Sequence, residues 1–178
     1  MGNSKRDKTR RQRYDQKSST AIKLPLEICT INFMHDGNLG FLIRAAACFG
    51  VSKIHVIGSV PPRKILNPLS GSLYDFVEIK QYRSPFEFLD FCKNNKIKLI
   101  SAEISQGAKS ISSYDFDFSS RMVLVVGQEE SGIPIEILRN SDKVYIPMPG
   151  VGFCLNTSQT ANIFLYEAAK QMNLFQEC

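Results

Sequence analysis

VYIPMPGVGFCLNTSQTANIFLYEAAKQ, residues 144–171, passes from a short apolar run into two glycines and a cluster of small polar residues, then into a helix-like ending. A helix is predicted over 158–172, with Ala161, Leu165, Ala168 and Met172 on one stripe. A strand, a glycine loop and a helix in that order can present unpaired backbone N–H groups to a nucleotide. The segment GVGFCL supplies two glycines of a G-x-G-x-x-G pattern, but Leu155 stands in the third place, and the loop comes at the end of the chain instead of at its first strand-helix turn. An ordinary dinucleotide fold is a poor fit.

Upstream, the same alternation recurs. Strands are predicted at 26–33 (LEICTINF), 53–58, 76–80, 97–104, 122–126 (MVLVV) and 143–148, separated by helices at 39–49, from Ser84 to about 94, and at 134–140. The first of these helices stops at Gly50, a natural terminator. Ser84, Pro85 and Glu87 give the next one an N-cap, a first-turn proline and a capping-box glutamate. The order implies an α/β fold: a mostly parallel sheet with helices on both faces. Ligands in such folds gather beyond the carboxyl ends of strands, which points to loops 35–40, 127–134 and 148–156.

Composition bounds the rest. The chain has 178 residues, 43% of them hydrophobic, enough for one core and one folded unit. No run of about 18 apolar residues is present to span a membrane, and no apolar signal core opens the sequence. A cytoplasmic protein without membrane contact is the expectation. Five widely spaced cysteines, never C-x-x-C, argue against a zinc site or a disulfide framework, and no metal is expected.

The charge is concentrated. Residues 1–17 hold seven basic and two acidic side chains, whereas the remainder holds fifteen of each. With almost nothing apolar to bury, residues 1–22 read as a basic, disordered arm preceding the folded domain at 23–178. Lys5, Arg6, Lys8, Arg10, Arg11 and Arg13 suit an RNA phosphate backbone, because each cation that meets a phosphate releases a counterion. A solubilising or targeting tail is the alternative.

Familiar catalytic patterns are missing. GQEESG at 127–132 has P-loop spacing, but Ile133 follows where the phosphate-binding lysine belongs, and Glu129 with Glu130 would repel a triphosphate. The two histidines, His35 and His55, have no spaced partners for a metal or a catalytic triad. His55, inside a strand, reads as structural.

Taken together, NLGFLIRAA (38–46), VGQEESGIP (126–134) and IPMPG (146–150) with Leu155-Asn156 resemble the three ordered motifs of the SpoU (TrmH-like) RNA ribose methyltransferases of the SPOUT superfamily. The resemblance spans about 28–170. It implies a SPOUT-type fold with a C-terminal trefoil knot, an obligate homodimer, and S-adenosylmethionine held in the knot. It further implies catalytic roles for Arg44, Asn38, Glu129 and Asn156, and cofactor contacts from Gly127, Ile146, Met148, Cys154 and Leu155. The matching arginine of the family is often assigned as the general base. A guanidinium with a pKa above about 12 is a poor base, so anchoring a phosphate and stabilising a developing alkoxide is the more conservative role. Asn38 and Asn156 are alternatively helix caps, and Glu129 is alternatively a partner of Arg44, across a dimer.

One position departs from the family. Cys154 occupies the place of a usual serine, and a thiol is a much weaker hydrogen-bond donor and acceptor. The expected function is methyl transfer to a ribose 2′-hydroxyl of structured RNA, with tRNA favoured over rRNA. The rivals are an RNA-binding dimer of the same fold with reduced or lost catalysis, and a base methyltransferase.

Overall fold

The computed structural model describes residues 9–152 and 154–174. Its element order is α1 (Arg10–Ser18), β1 (Leu26–Ile31), α2 (Asp36–Phe49), β2 (Lys53–Ile57), α3 (Arg63–Leu69), β3 (Glu78–Tyr82), α4 (Pro85–Asn94), β4 (Lys98–Ala102), β5 (Lys109–Ser110), β6 (Met122–Val126), α5 (Ile135–Leu138), β7 (Asp142–Tyr145) and α6 (Thr157–Gln171). Seven strands form one sheet in the order β3-β2-β1-β6-β4-β7-β5, and each of these pairings is parallel.

The middle of the sheet is the most apolar part, for a local reason. MVLVV of β6 is buried at every position, as a strand covered on both faces must be. On one face Leu42 and Ile43 of α2 pack with Phe164 and Leu165 of α6 over Ile28 and Leu124. On the other, Phe88 of α4 and Ile137 of α5 close over Val123 and Val125. Fully burying side chains of this size stabilises by roughly 1.5 to 3 kcal/mol each. The expected two-sided α/β sheet is present.

Several boundaries differ from the sequence reading. Helix α2 starts at Asp36, so what reads as a loop over 35–40 is the helix's first turn, with His35 at the N-cap. A 3-10 turn at Tyr74–Phe76 delays β3 to Glu78. Strand β7 ends at Tyr145, two residues before Pro147, which has no N–H for a ladder. At α4 the Ser84 hydroxyl accepts from the Glu87 N–H, as expected, but the Glu87 carboxylate accepts from Arg83 instead of from the cap residue. Helix α3, which carries Pro68 inside it, has no counterpart in the sequence reading.

The basic segment also departs from a disordered arm where it is described. Residues Arg10–Ser18 form a helix, opened by a reciprocal Thr9–Gln12 capping box. The folded domain supplies the apolar and acidic partners that the segment lacks by itself. Tyr14 packs edge-on against Phe76 at 6.0 Å, and Arg11 reaches Asp75 at 3.1 Å. Lys5, Arg6 and Lys8 lie outside the described residues. Among the described residues no helix is long and apolar enough to cross a membrane.

His55 is wholly buried, as its strand position suggested, and its two ring nitrogens lie 2.9 Å from the Tyr82 hydroxyl and 2.6 Å from Glu27. Glu27 also receives Arg121 at 2.9 Å. Burial alone would push the Glu27 carboxyl up, but the bonds from His55 and Arg121 outweigh it and bring the carboxyl down to about 2. A folded-state value below the unfolded one, near 4.5, gives stability that is present above pH 4.5 and lost as pH falls through about 2. In urea titrations, Glu27→Gln should be less stable than the parent at pH 6, with the gap closing as pH falls from about 4.5 towards 2. A pH-independent gap would contradict this.

Candidate active site

The carboxyl ends of β1, β6, β4 and β7, four neighbours in the sheet, converge on one region. Each is followed by a segment that adds a wall. After β6, the turn at 127–132 closes on itself: the Gln128 and Gly132 backbones exchange hydrogen bonds of 3.0 Å in both directions. The Gln128 side-chain oxygen accepts from the Glu130 N–H at 2.8 Å, the Ser131 N–H at 2.6 Å and the Ser131 hydroxyl at 2.9 Å. A Cβ on Gly127 would sit 2.7 Å from the Gly132 carbonyl carbon, so this approach requires glycine.

Between this turn and the segment after β7 lies a groove of about 270 Å³. Gly127, Ile146, Met148, Cys154 and Leu155, the five residues expected to hold a cofactor, all line it. The floor includes Val126, Val144 and Phe164, which are buried core residues, so the apolar base is continuous with the core. Glu103, Gln128 and Thr160 line it as well and were not singled out from the sequence. Glu103 follows the end of β4, and its place beyond a buried strand is the signal that could have found it.

Asn38, Glu129 and Asn156, far apart in the chain, meet directly. The Asn38 side-chain amide donates to Glu129 at 2.5 Å, and its carbonyl oxygen accepts from the Asn156 amide at 2.9 Å. The other Glu129 oxygen accepts from the Met34 N–H at 3.1 Å. Burial pushes the Glu129 carboxyl up, but the bonds from Met34, its own N–H and Asn38 hold it below the usual carboxylate range. Asn156 is indeed the N-cap of α6, accepting from the Ser158 N–H at 2.9 Å, while its amide group remains available for Asn38. Both readings of Asn156 hold together.

Arg44 stands apart from this chain. It is exposed on α2 and lines a second depression with Asn38, Phe41, Asn156 and Asn162. Among the described residues its guanidinium has no hydrogen-bond or ion-pair partner, and within the chain Glu129 is engaged by Asn38 and Met34. The groove and the depression therefore adjoin at Asn38–Glu129–Asn156: an apolar, glycine-walled side meets a side carrying a free guanidinium. Such an arrangement suits a flat heterocyclic ligand on one side and an anionic one on the other. Arg10 and Arg13 are exposed on α1, whereas Arg11 is tied to Asp75 and Asp15.

The chain matches the SpoU rRNA Methylase family over residues 25–166. A tRNA (guanosine(18)-2′-O)-methyltransferase of Escherichia coli K12 is 24% identical over 82% of this chain, which spans 63% of that relative's length. The solved Aquifex aeolicus TrmH/SpoU tRNA modifying enzyme superimposes with a TM-score of 0.78, at 24% identity, covering 92% of this chain and 84% of its own. The SpoU methyltransferase AviRb of Streptomyces viridochromogenes, solved in complex with AdoMet, gives 0.72 at 26% identity, covering 88% of this chain and 61% of its own.

The 127–132 turn rests on the Gln128 side chain. A net hydrogen bond contributes about 1 kcal/mol, so in Gln128→Ala the Glu130 and Ser131 amides should exchange with solvent roughly 5-fold faster, with the amides of β6 unchanged. Unaltered exchange at both amides would show that the side chain does not organise the turn.

Proposed function

The chain belongs to the SpoU rRNA Methylase family, and from that premise we propose that it transfers a methyl group from S-adenosylmethionine to a ribose 2′-hydroxyl of structured RNA. The observation that carries this reading is the meeting of Asn38, Glu129 and Asn156 in one hydrogen-bonded chain, between an apolar groove and the free Arg44. The groove's donor set fits the cofactor. Apolar walls from Ile146, Met148 and Leu155 suit an adenine, and the backbone around Gly127 is free of a Cβ that would hold the ring away.

The cofactor supplies an electrophilic methyl group on a sulfonium. The residues of the chain do the rest. Asn38 and Asn156 set the orientation of one another and of Glu129, so that the two sides of the site keep a fixed spacing. Much of the rate comes from that alignment. Arg44, always charged, anchors the phosphate next to the target ribose and stabilises the oxygen as its proton passes to solvent water, while the methyl group moves from the sulfonium to that oxygen and leaves a neutral thioether. Glu129, held ionised by its three donors, places a negative charge on the cofactor side, where a sulfonium is favoured.

Transfer RNA is the favoured substrate class, on the name of the Escherichia coli relative. The trefoil knot and a homodimer belong to the same proposal. Exposed Phe41 on α2 lines the Arg44 depression, and with exposed Ile163 on α6 it offers apolar surface to a second copy. Cys154 lines the groove at an exposed position where the family has a hydroxyl, and it is the feature that would favour RNA binding without turnover.

The test uses methyl-labelled S-adenosylmethionine with separated tRNA and rRNA pools, mapping label by resistance of the adjacent bond to alkali. Label at alkali-resistant sites in tRNA is expected. Label on bases, or cofactor binding without transfer to any pool, would overturn the proposal. Arg44→Ala should slow transfer by about 10- to 100-fold, the loss of a charge-assisted hydrogen bond of roughly 1.5 to 3 kcal/mol, with cofactor affinity retained.

A further inference from the structure

Resting on the RNA methyltransferase reading, we infer that α1 is a docked clamp for the RNA phosphodiester backbone, locked beside Arg44 through Tyr14 and Gly71. Gly71 adopts φ 67° in the turn that follows α3. A Cβ there would lie 3.4 Å from the Arg44 guanidinium carbon, so this backbone forms the floor under the guanidinium. The carbonyl of the same residue accepts from the Tyr14 hydroxyl of α1 at 3.4 Å. One glycine therefore touches the proposed catalytic arginine on one side and the basic helix on the other.

The helix divides its cations into two sets. Arg11 is the anchor: it pairs with Asp75 at 3.1 Å and with Asp15 at 3.1 Å, and its guanidinium lies 4.9 Å from the centre of the Phe76 ring. Asp75 is itself fixed by Arg63, through bonds of 2.9 and 2.6 Å. Arg10, Arg13 and Lys17 are exposed and have no ion-pair partner among the described residues. Their i, i+3, i+7 spacing puts them on one stripe, centred about a quarter turn round the helix from Arg11 and Tyr14, with Arg10 and Lys17 flanking Tyr14. At 1.5 Å per residue the three span roughly 10 Å of helix. A stripe of three free cations, contiguous through Gly71 with Arg44, suits a phosphate backbone that continues past the reacting ribose. A mobile polycation would supply affinity alone; the docked helix also fixes register. Arg10, Arg13 and Lys17 are then phosphate ligands, and Tyr14 and Arg11 are positioning residues.

The experiment measures binding of a total tRNA pool to the full chain across a salt series, with KM for RNA and the cofactor dissociation constant alongside. Arg10→Ala/Arg13→Ala/Lys17→Ala should weaken binding and reduce the slope of log K against log salt by about 2 to 3, at 0.7 to 0.9 per phosphate contact. Tyr14→Ala, which removes no charge, should also weaken RNA binding and raise KM, and adding it to the triple variant should cost little more. Asp75→Asn separates docking from charge. It removes a negative charge, so a purely electrostatic arm would bind RNA more tightly, whereas a docked clamp that loses its anchor binds more weakly. Unchanged cofactor affinity in each variant reports an intact fold. RNA binding by Tyr14→Ala equal to the parent, tighter binding by Asp75→Asn, or an unchanged salt slope in the triple variant would each overturn the clamp. Binding with all the expected variant effects but without methyl transfer would refute the enzyme reading and leave the clamp standing.

Discussion

Asn38 donates to Glu129 and accepts from Asn156, and on that pair of hydrogen bonds the geometry of the whole site depends. The three side chains come from the start of α2, the turn after β6 and the cap of α6, segments with no local reason to stay in register. A carboxylate with a lowered pKa, a nearly buried amide and an N-cap amide leave little freedom once joined. Removing Asn38 leaves the Glu129 carboxylate short of a donor and the Asn156 amide without its acceptor, and an unpaired polar group in a partly desolvated place is costly.

The sheet makes that meeting possible. With β6 inserted between β1 and β4, and β7 beyond β4, four carboxyl ends lie side by side, and the segments after them are brought together without long excursions. The same packing explains why the groove floor is apolar: Val126, Val144 and Phe164 belong to the core that α2 and α6 close. The groove side of the candidate site is an extension of the core, and the Arg44 side is an extension of the surface.

Much of this was legible in residues 26–172. The β-branched run MVLVV, the Ser84-Pro85 helix start and the Gly50 stop each carry their own local physics, and the elements form where those signals lie. The five residues expected to hold a cofactor share one groove because motif order in the chain maps onto strand order in the sheet. What escaped depends on distant partners. Helix α1 has no apolar residue of its own except Tyr14, and it is ordered by Phe76 and Asp75, more than fifty residues away in the sequence. Glu129 is reached within the chain by the Asn38 amide and the Met34 N–H, both more than ninety residues away in the sequence. Gln128 and Glu103 gave no periodic signal, since one acts by sewing a turn and the other by following a strand end.

The most direct test of the central claim is a crystal structure of the full chain with S-adenosylhomocysteine. The account requires the adenine between Ile146, Leu155 and the backbone of Gly127, with the sulfur on the side of the groove facing Asn38. A ligand bound elsewhere, or a site in which Asn38 has parted from Glu129 and Asn156 while the cofactor product is in place, would contradict it.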